Sequence, residues 1–120
     1  MKKRILVVDD DTMNLLRTKR ILEDEYDVLL VDSGHKALDK LERERIDLVP
    51  LDIEMPKMNG FETFERMKGI AAGVPVIFLT ASGLEDDVVS AIKLGAVNYL
   101  VKPFEPQELL KRVSQEFEKQ

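Results

Sequence analysis

The sequence predicts an α/β fold, a three-layer α/β/α sandwich around a five-stranded parallel sheet. Three observations carry that prediction. Strand-like and helix-like segments alternate five times along the chain. The runs Ile5-Leu-Val-Val8 and Val76-Ile-Phe-Leu79 are continuously apolar rather than alternating, as strands covered by helices on both faces are. With 120 residues, 44% of them hydrophobic, the chain is long enough to bury a core and short enough that residues 1–120 are expected to form one domain.

Strands are expected near residues 4–8, 27–31, 47–51, 75–79 and 98–101, and helices near 13–24, 35–44, 60–68, 85–94 and 106–118. The breakers fit these limits: Asn59-Gly60 opens the third helix, Gly95 closes the fourth, and Pro106 suits the first turn of the fifth. Parallel strands joined through helices need right-handed crossovers, which folds five such units into the sandwich. A flavodoxin-like strand order, 2-1-3-4-5, sets the ends of the first, third, fourth and fifth strands side by side. The second strand, the one without a chemical residue at its end, is left at an edge. Pro50 stands against the pattern, because a proline inside a central strand removes a ladder hydrogen bond. It is either a missing rung or a bulge that aims Asp52 two residues downstream. The flanking Leu48, Val49 and Leu51 read as ordinary buried strand and favour the missing rung.

Composition narrows the function classes. Cysteine is absent, which removes disulfides, thiolate metal sites and cysteine nucleophiles, and fits a reducing cytoplasm. Eighteen Lys and Arg against 23 Asp and Glu give a net charge of −5, the wrong sign for neutralising a phosphate backbone, so no direct nucleic-acid binding is expected. The apolar run behind the basic Met1-Lys2-Lys3-Arg4 ends at Asp9, too soon for a signal peptide or membrane span. The chain is expected to be cytoplasmic, without membrane insertion.

The chemistry lies at the strand ends. Ile5-Leu-Val-Val-Asp9-Asp10, Leu48-Val-Pro-Leu-Asp52, Val76-Ile-Phe-Leu-Thr80 and Tyr99-Leu-Val-Lys102-Pro103 each close on a polar residue. Parallel neighbours would bring three carboxylates, a hydroxyl and an ammonium to the rim where open α/β sheets keep their sites. Carboxylates so crowded repel by roughly 4 kcal/mol per close pair at an effective dielectric of 20. Either proton uptake or a hard divalent cation compensates. With no histidine or cysteine in the cluster, zinc is disfavoured and Mg2+ is the natural ion. Mg2+ commonly joins one or two carboxylates to phosphate oxygens, which implies a phosphate and a carboxylate able to act as nucleophile. Lys102 and the cation would neutralise the transferring oxygens, and Thr80 would supply a hydrogen bond.

Four segments together resemble the receiver domain of the two-component response regulators, of the kind typified by the chemotaxis regulator. They are Ile5-Leu-Val-Val-Asp-Asp-Asp11, Leu51-Asp-Ile-Glu-Met-Pro-Lys-Met-Asn-Gly60, Phe78-Leu-Thr-Ala81 and Gly95-Ala-Val-Asn-Tyr-Leu-Val-Lys-Pro-Phe104. The resemblance covers nearly the whole chain and implies that Asp52 is the phosphoacceptor. It implies that Asp10 ligates Mg2+ directly, Asp9 through water, and that Asp52 and the main-chain carbonyl of Glu54 complete the protein ligands. Lys102 would pair with the acyl phosphate, the Lys102–Pro103 bond would be cis, and Thr80 and Tyr99 would form the switch pair. The 85–94 helix, the fifth strand and the 106–118 helix would form the output face. The phosphoryl donor would be a histidine kinase or a histidine phosphotransfer protein, and the receiver of the signal a downstream output domain or effector protein. No independent substrate turnover is implied. Val97-Asn98 replaces the acidic pair often found before this tyrosine in the winged-helix transcriptional branch, so that branch's dimer interface is not carried over.

Plainer readings stand beside these. Asp9-Asp10 could cap the first helix, Thr80 could be an ordinary β-branched strand residue, and Tyr99 a half-buried core aromatic. His35, the sole histidine, has no partner motif and is expected in solvent. An aspartate-nucleophile phosphatase of the haloacid dehalogenase type uses similar groups, but there the nucleophile comes early and the acid pair late. A flavodoxin needs a Ser/Thr/Gly-rich phosphate loop where Asp9-Asp10-Asp11 would repel the ligand. A degenerate receiver acting only as an interaction module would not need every pocket residue.

Overall fold

The computed structural model describes residues 1–81, 89, 90, 93, 95 and 98–119. Five strands, β1 (Arg4–Val8), β2 (Asp27–Val31), β3 (Val49–Asp52), β4 (Val76–Thr80) and β5 (Asn98–Val101), form one sheet. The order is β2-β1-β3-β4-β5 and every pairing is parallel, as expected. Among the described residues the helices are α1 (Thr12–Leu22), α2 (Gly34–Arg43), α3 (Gly60–Met67) and a C-terminal helix (Pro106–Glu118). Of the helix expected over 85–94, residues 89, 90 and 93 are described and are helical, and the rest lies outside the described residues.

Alternation along the strands divides the core into two layers. Ile5 and Val7 of β1 join Leu48, Ile77, Leu79 and Leu100 under Leu15 and Leu22 of α1 and Leu109 and Val113 of the C-terminal helix. Leu6 and Val8 face the other way, with Val49, Leu51 and Phe78 under Ala37 and Leu41 of α2 and Phe64 and Met67 of α3. Phe61 and Phe64 meet Phe78 edge-on, at centroid distances of 5.1 and 5.5 Å. Each such buried side chain contributes about 1.5–3 kcal/mol. β2, exposed at its start and only partly buried through its middle, is one edge strand, and β5 is the other.

Local signals start the helices. Asp11 caps α1 by accepting from the Met13 N–H at 3.0 Å, and Ser33 caps α2 by accepting from Lys36 N–H at 3.1 Å. Asn59 and Glu62 form a reciprocal capping box on α3 (2.9 and 3.2 Å). Pro106 occupies the first turn of the C-terminal helix. Capping of α1 thus falls to Asp11, and Asp9 and Asp10 are left for another role.

The third and fourth strands each run one residue further than expected, because Asp52 pairs with Leu79 and Thr80 with Val101. β3 also starts later, at Val49, with Leu48 making a single bridge to Ile5. Pro50 explains the gap. Ile5 opposes Leu48 and Val8 opposes Leu51, the same offset on either side of the proline, while Val49, Pro50, Leu51 and Asp52 stay in unbroken register with β4. No residue is inserted, so Pro50 is a missing rung and not a bulge. The Leu6 N–H donates to the Leu48 carbonyl at 3.0 Å; the next rung, from residue 50 back to Leu6, cannot form because proline has no N–H.

Candidate functional site

Asp52 and Thr80 are the last residues of β3 and β4, and Asp9 and Lys102 follow β1 and β5 by one residue. The sheet order therefore sets all four on one rim. Lys102 Nζ donates to Asp9 Oδ2 at 2.8 Å and to Asp52 Oδ1 at 3.1 Å. Asp9, Asp52 and Thr80 are almost fully buried, at 1%, 3% and 1% exposure, while Asp10 is exposed. Asp9 is held from the other side as well, its Oδ1 accepting from the Asp11 N–H at 3.0 Å. The Lys102–Pro103 peptide is cis.

Burial, and next the charge of Asp9, push the Asp52 carboxyl up to about 7 despite the opposing Lys102 ammonium. Burial pulls Lys102 down, but its hydrogen bond to Asp9 and the charges of both aspartates outweigh that and raise it. Lys102 is therefore a firm cation, whereas Asp52 is poised between its acid and its carboxylate near neutrality. One oxygen each from Asp9, Asp10 and Asp52 lies within 4.8 Å of the others. Like charges at such a distance repel by about 3–4 kcal/mol per pair at an effective dielectric of 20, and a single lysine offsets only part of this. An all-oxygen donor set, two members buried and one open to solvent, fits a hard cation that keeps water ligands.

The backbone around Asp52 is held by a close approach. A Cβ on Gly60 would lie 2.4 Å from the Asp52 carbonyl oxygen and 2.8 Å from Ile53 Cα, and the Gly60 N–H donates to the Ile53 carbonyl at 2.9 Å. The loop between also carries Lys57 at φ 68°, in the left-handed region. Beside Asp9 and Lys102 opens a cavity of about 230 Å³, lined also by Asn14, Arg17, Thr18 and Phe104. Arg17 closes one wall by donating to the Phe104 carbonyl at 2.7 Å.

Of the site residues named from the sequence, Asp9, Asp10, Asp52, Glu54, Thr80 and Lys102 lie at or next to this rim, whereas Tyr99 lies further back on β5, paired with Phe78. Thr80 Oγ1 donates to Glu54 Oε1 at 2.8 Å, so the Glu54 side chain reaches the rim. Tyr99 is not a core residue: it is 36% exposed on β5. Its strand is tied to the C-terminal helix by Arg112, which donates to Asn98 Oδ1 and, at 3.2 Å, to the Tyr99 carbonyl. His35 is exposed at the start of α2, as expected. Sequence reasoning missed the Glu54 side chain, Arg17 and Arg112; only Glu54 had a signal, its place two residues after Asp52.

No described helix is long and apolar enough to cross a membrane. Residues 5–114 match the family model of the response regulator receiver domain. Among curated proteins the chain is 40% identical over 114 residues to the alkaline phosphatase synthesis transcriptional regulatory protein PhoP of Bacillus subtilis (strain 168), covering 94% of this chain and 48% of PhoP. The chain thus spans about half the length of the curated relatives it matches. Among solved structures, a CheY-like response regulator receiver domain protein from Methanospirillum hungatei JF-1 aligns with TM-score 0.93 at 34% identity, over 99% of this chain and 96% of that one. The receiver domain of sensor histidine kinase PA1611 from Pseudomonas aeruginosa PAO1, solved with a magnesium ion in its active-site cleft, aligns with TM-score 0.87 at 30% identity, over 96% and 97% of the two chains. Neither the phosphatase nor the flavodoxin reading is favoured by these matches. The acidic rim, the strand order and the family match converge, and the chain belongs to the response regulator receiver domains, signalling modules rather than enzymes that turn over a separate substrate.

Proposed function

We propose that residues 1–120 act as one cytoplasmic receiver domain in which Asp52 accepts a phosphoryl group from the phosphohistidine of a histidine kinase or histidine phosphotransfer protein. The observation that supports this most is the Lys102 ammonium placed between the buried carboxylates of Asp9 and Asp52. In the transfer, an Asp52 carboxylate oxygen forms the new P–O bond as the donor's P–N bond breaks, and the departing imidazole takes up a proton. Lys102, already 3.1 Å from Asp52 Oδ1, lies where it stabilises negative charge on the incoming phosphoryl oxygens. Attack requires the ionised carboxylate, which burial and the charge of Asp9 disfavour and the Lys102 ammonium favours. Asp9, Asp10, Asp52 and the Glu54 main-chain carbonyl are the groups that would hold Mg2+, which when bound supplies charge neutralisation for the phosphoryl oxygens.

The phosphorylated state is then read elsewhere. Thr80 would turn its hydroxyl to the phosphoryl group, and the exposed Tyr99 would move inward. Residues 85–94, β5 and the C-terminal helix would present the change to an output domain or effector protein. Treating the protein with acetyl phosphate tests the reading. A single phosphoryl adduct is expected with Mg2+ and none after chelation, whereas steady phosphate release without an adduct would favour a phosphatase.

A further inference from the structure

We propose that the Glu54 side chain is a positioning residue that occupies the Thr80 hydroxyl until a phosphoryl group displaces it. The proposal rests on the assignment of Asp52 as phosphoacceptor. Thr80 is fixed at the end of β4, where it pairs with Val101 and its carbonyl accepts from the Lys102 N–H at 2.7 Å. Its side chain is buried and needs a hydrogen-bond partner, whereas the exposed Glu54 carboxylate is at ease in water. The 2.8 Å contact between them therefore serves Thr80. A hydroxyl carries one proton, so the bond given to Glu54 is not available to a phosphoryl oxygen.

Phosphorylation changes the competition. A phosphoryl group on Asp52 brings three strong acceptor oxygens and nearly two negative charges to a place two residues from Glu54. The incoming charge attracts the Thr80 proton and repels the Glu54 carboxylate, which solvent can receive. The exchange is thus a two-state element, and the strength of the Glu54 bond sets how much of the phosphoryl interaction is left to drive the switch.

Calorimetric titration of the full chain with trifluoroberyllate, a phosphoryl mimic, in saturating Mg2+ tests the proposal. Glu54→Ala should tighten the apparent Kd about tenfold, as loss of a competing charged hydrogen bond predicts. Glu54→Gln, which keeps an acceptor oxygen, should tighten it by clearly less. In a Thr80→Ala background, Glu54→Ala should change the Kd by under about twofold, because the two residues act through one bond. An equal gain with and without Thr80 would overturn the proposal, leaving Glu54 as a simple charge near Asp52. Unchanged or weaker binding by Glu54→Ala would overturn it too. If the unsubstituted protein fails to bind and behaves like Asp52→Asn, the assignment of Asp52 falls and the proposal with it; binding that Asp52→Asn removes separates the two failures.

Discussion

Lys102 and Asp9 lie 93 residues apart in sequence, yet the Lys102 ammonium sits 2.8 Å from the Asp9 carboxylate. Sheet order alone makes them neighbours of Asp52, and the electrostatics of the site follow from that triangle.

The first expectation is a pH dependence of stability. The Asp52 carboxyl is raised from 3.8 to about 7, chiefly by burial and then by Asp9. A raised carboxyl binds its proton more tightly in the folded state, so its contribution is complete below pH 3.8 and is lost as pH rises through about 7. In chelator, the stability advantage of Asp52→Asn over the unsubstituted protein should grow between pH 5 and 8 by roughly 2–4 kcal/mol. Added Mg2+ should shrink it by binding only the folded carboxylate form. Denaturation midpoints of both proteins across that range check this; parallel curves would contradict it.

Removing the cation should push the same group further. Lys102 opposes the rise of Asp52 by charge and hydrogen bond, so Lys102→Met should move the Asp52 titration to still higher pH. Carboxyl carbon shifts followed by NMR report the midpoint directly. A downward move would show that another cation governs Asp52.

Pro50→Leu should stabilise the protein. The constant register on either side of Pro50 means a leucine N–H can restore the rung to Leu6 without rearrangement. The gain should be about 1 kcal/mol, approaching ~3 if the Leu6 carbonyl is dry, with phosphorylation at a similar rate. Urea denaturation and acetyl phosphate labelling measure the two. A loss of stability or a sharp fall in rate would make the proline part of the site's geometry.

Two residues of the loop after Asp52 should respond in opposite ways. Gly60→Ala sets a methyl against the Asp52 and Ile53 backbone, so it should cost about 1–3 kcal/mol and slow labelling of Asp52. Lys57→Gly should stabilise by about 1 kcal/mol, since it relieves a left-handed conformation at φ 68°. Thermal unfolding of each variant decides the signs.

The fold was legible because its strands are extreme. β1 and β4 are apolar at every core position, and the crossover rules leave few ways to connect them. The site was legible as a set of strand ends, since Asp9, Asp52, Thr80 and Lys102 need only the sheet order to meet. Strand limits were less so: whether Asp52 ends β3 or follows it depends on its pairing with Leu79, which no local pattern encodes. The side-chain reach of Glu54 to Thr80 and of Arg112 to Asn98 depends on how a loop and a helix settle against the sheet. Tyr99 was ambiguous for a related reason. Its strand lies at an edge of the sheet, where periodicity does not say which residues are left exposed.

Locating the phosphoryl group by peptide mass spectrometry, after acetyl phosphate treatment in Mg2+, tests the assignment of Asp52 most directly. The account predicts one added phosphoryl group on the peptide containing Asp52, absent in Asp52→Asn and in chelator. A phosphoryl group mapped to any other residue, or full labelling of Asp52→Asn, would contradict it.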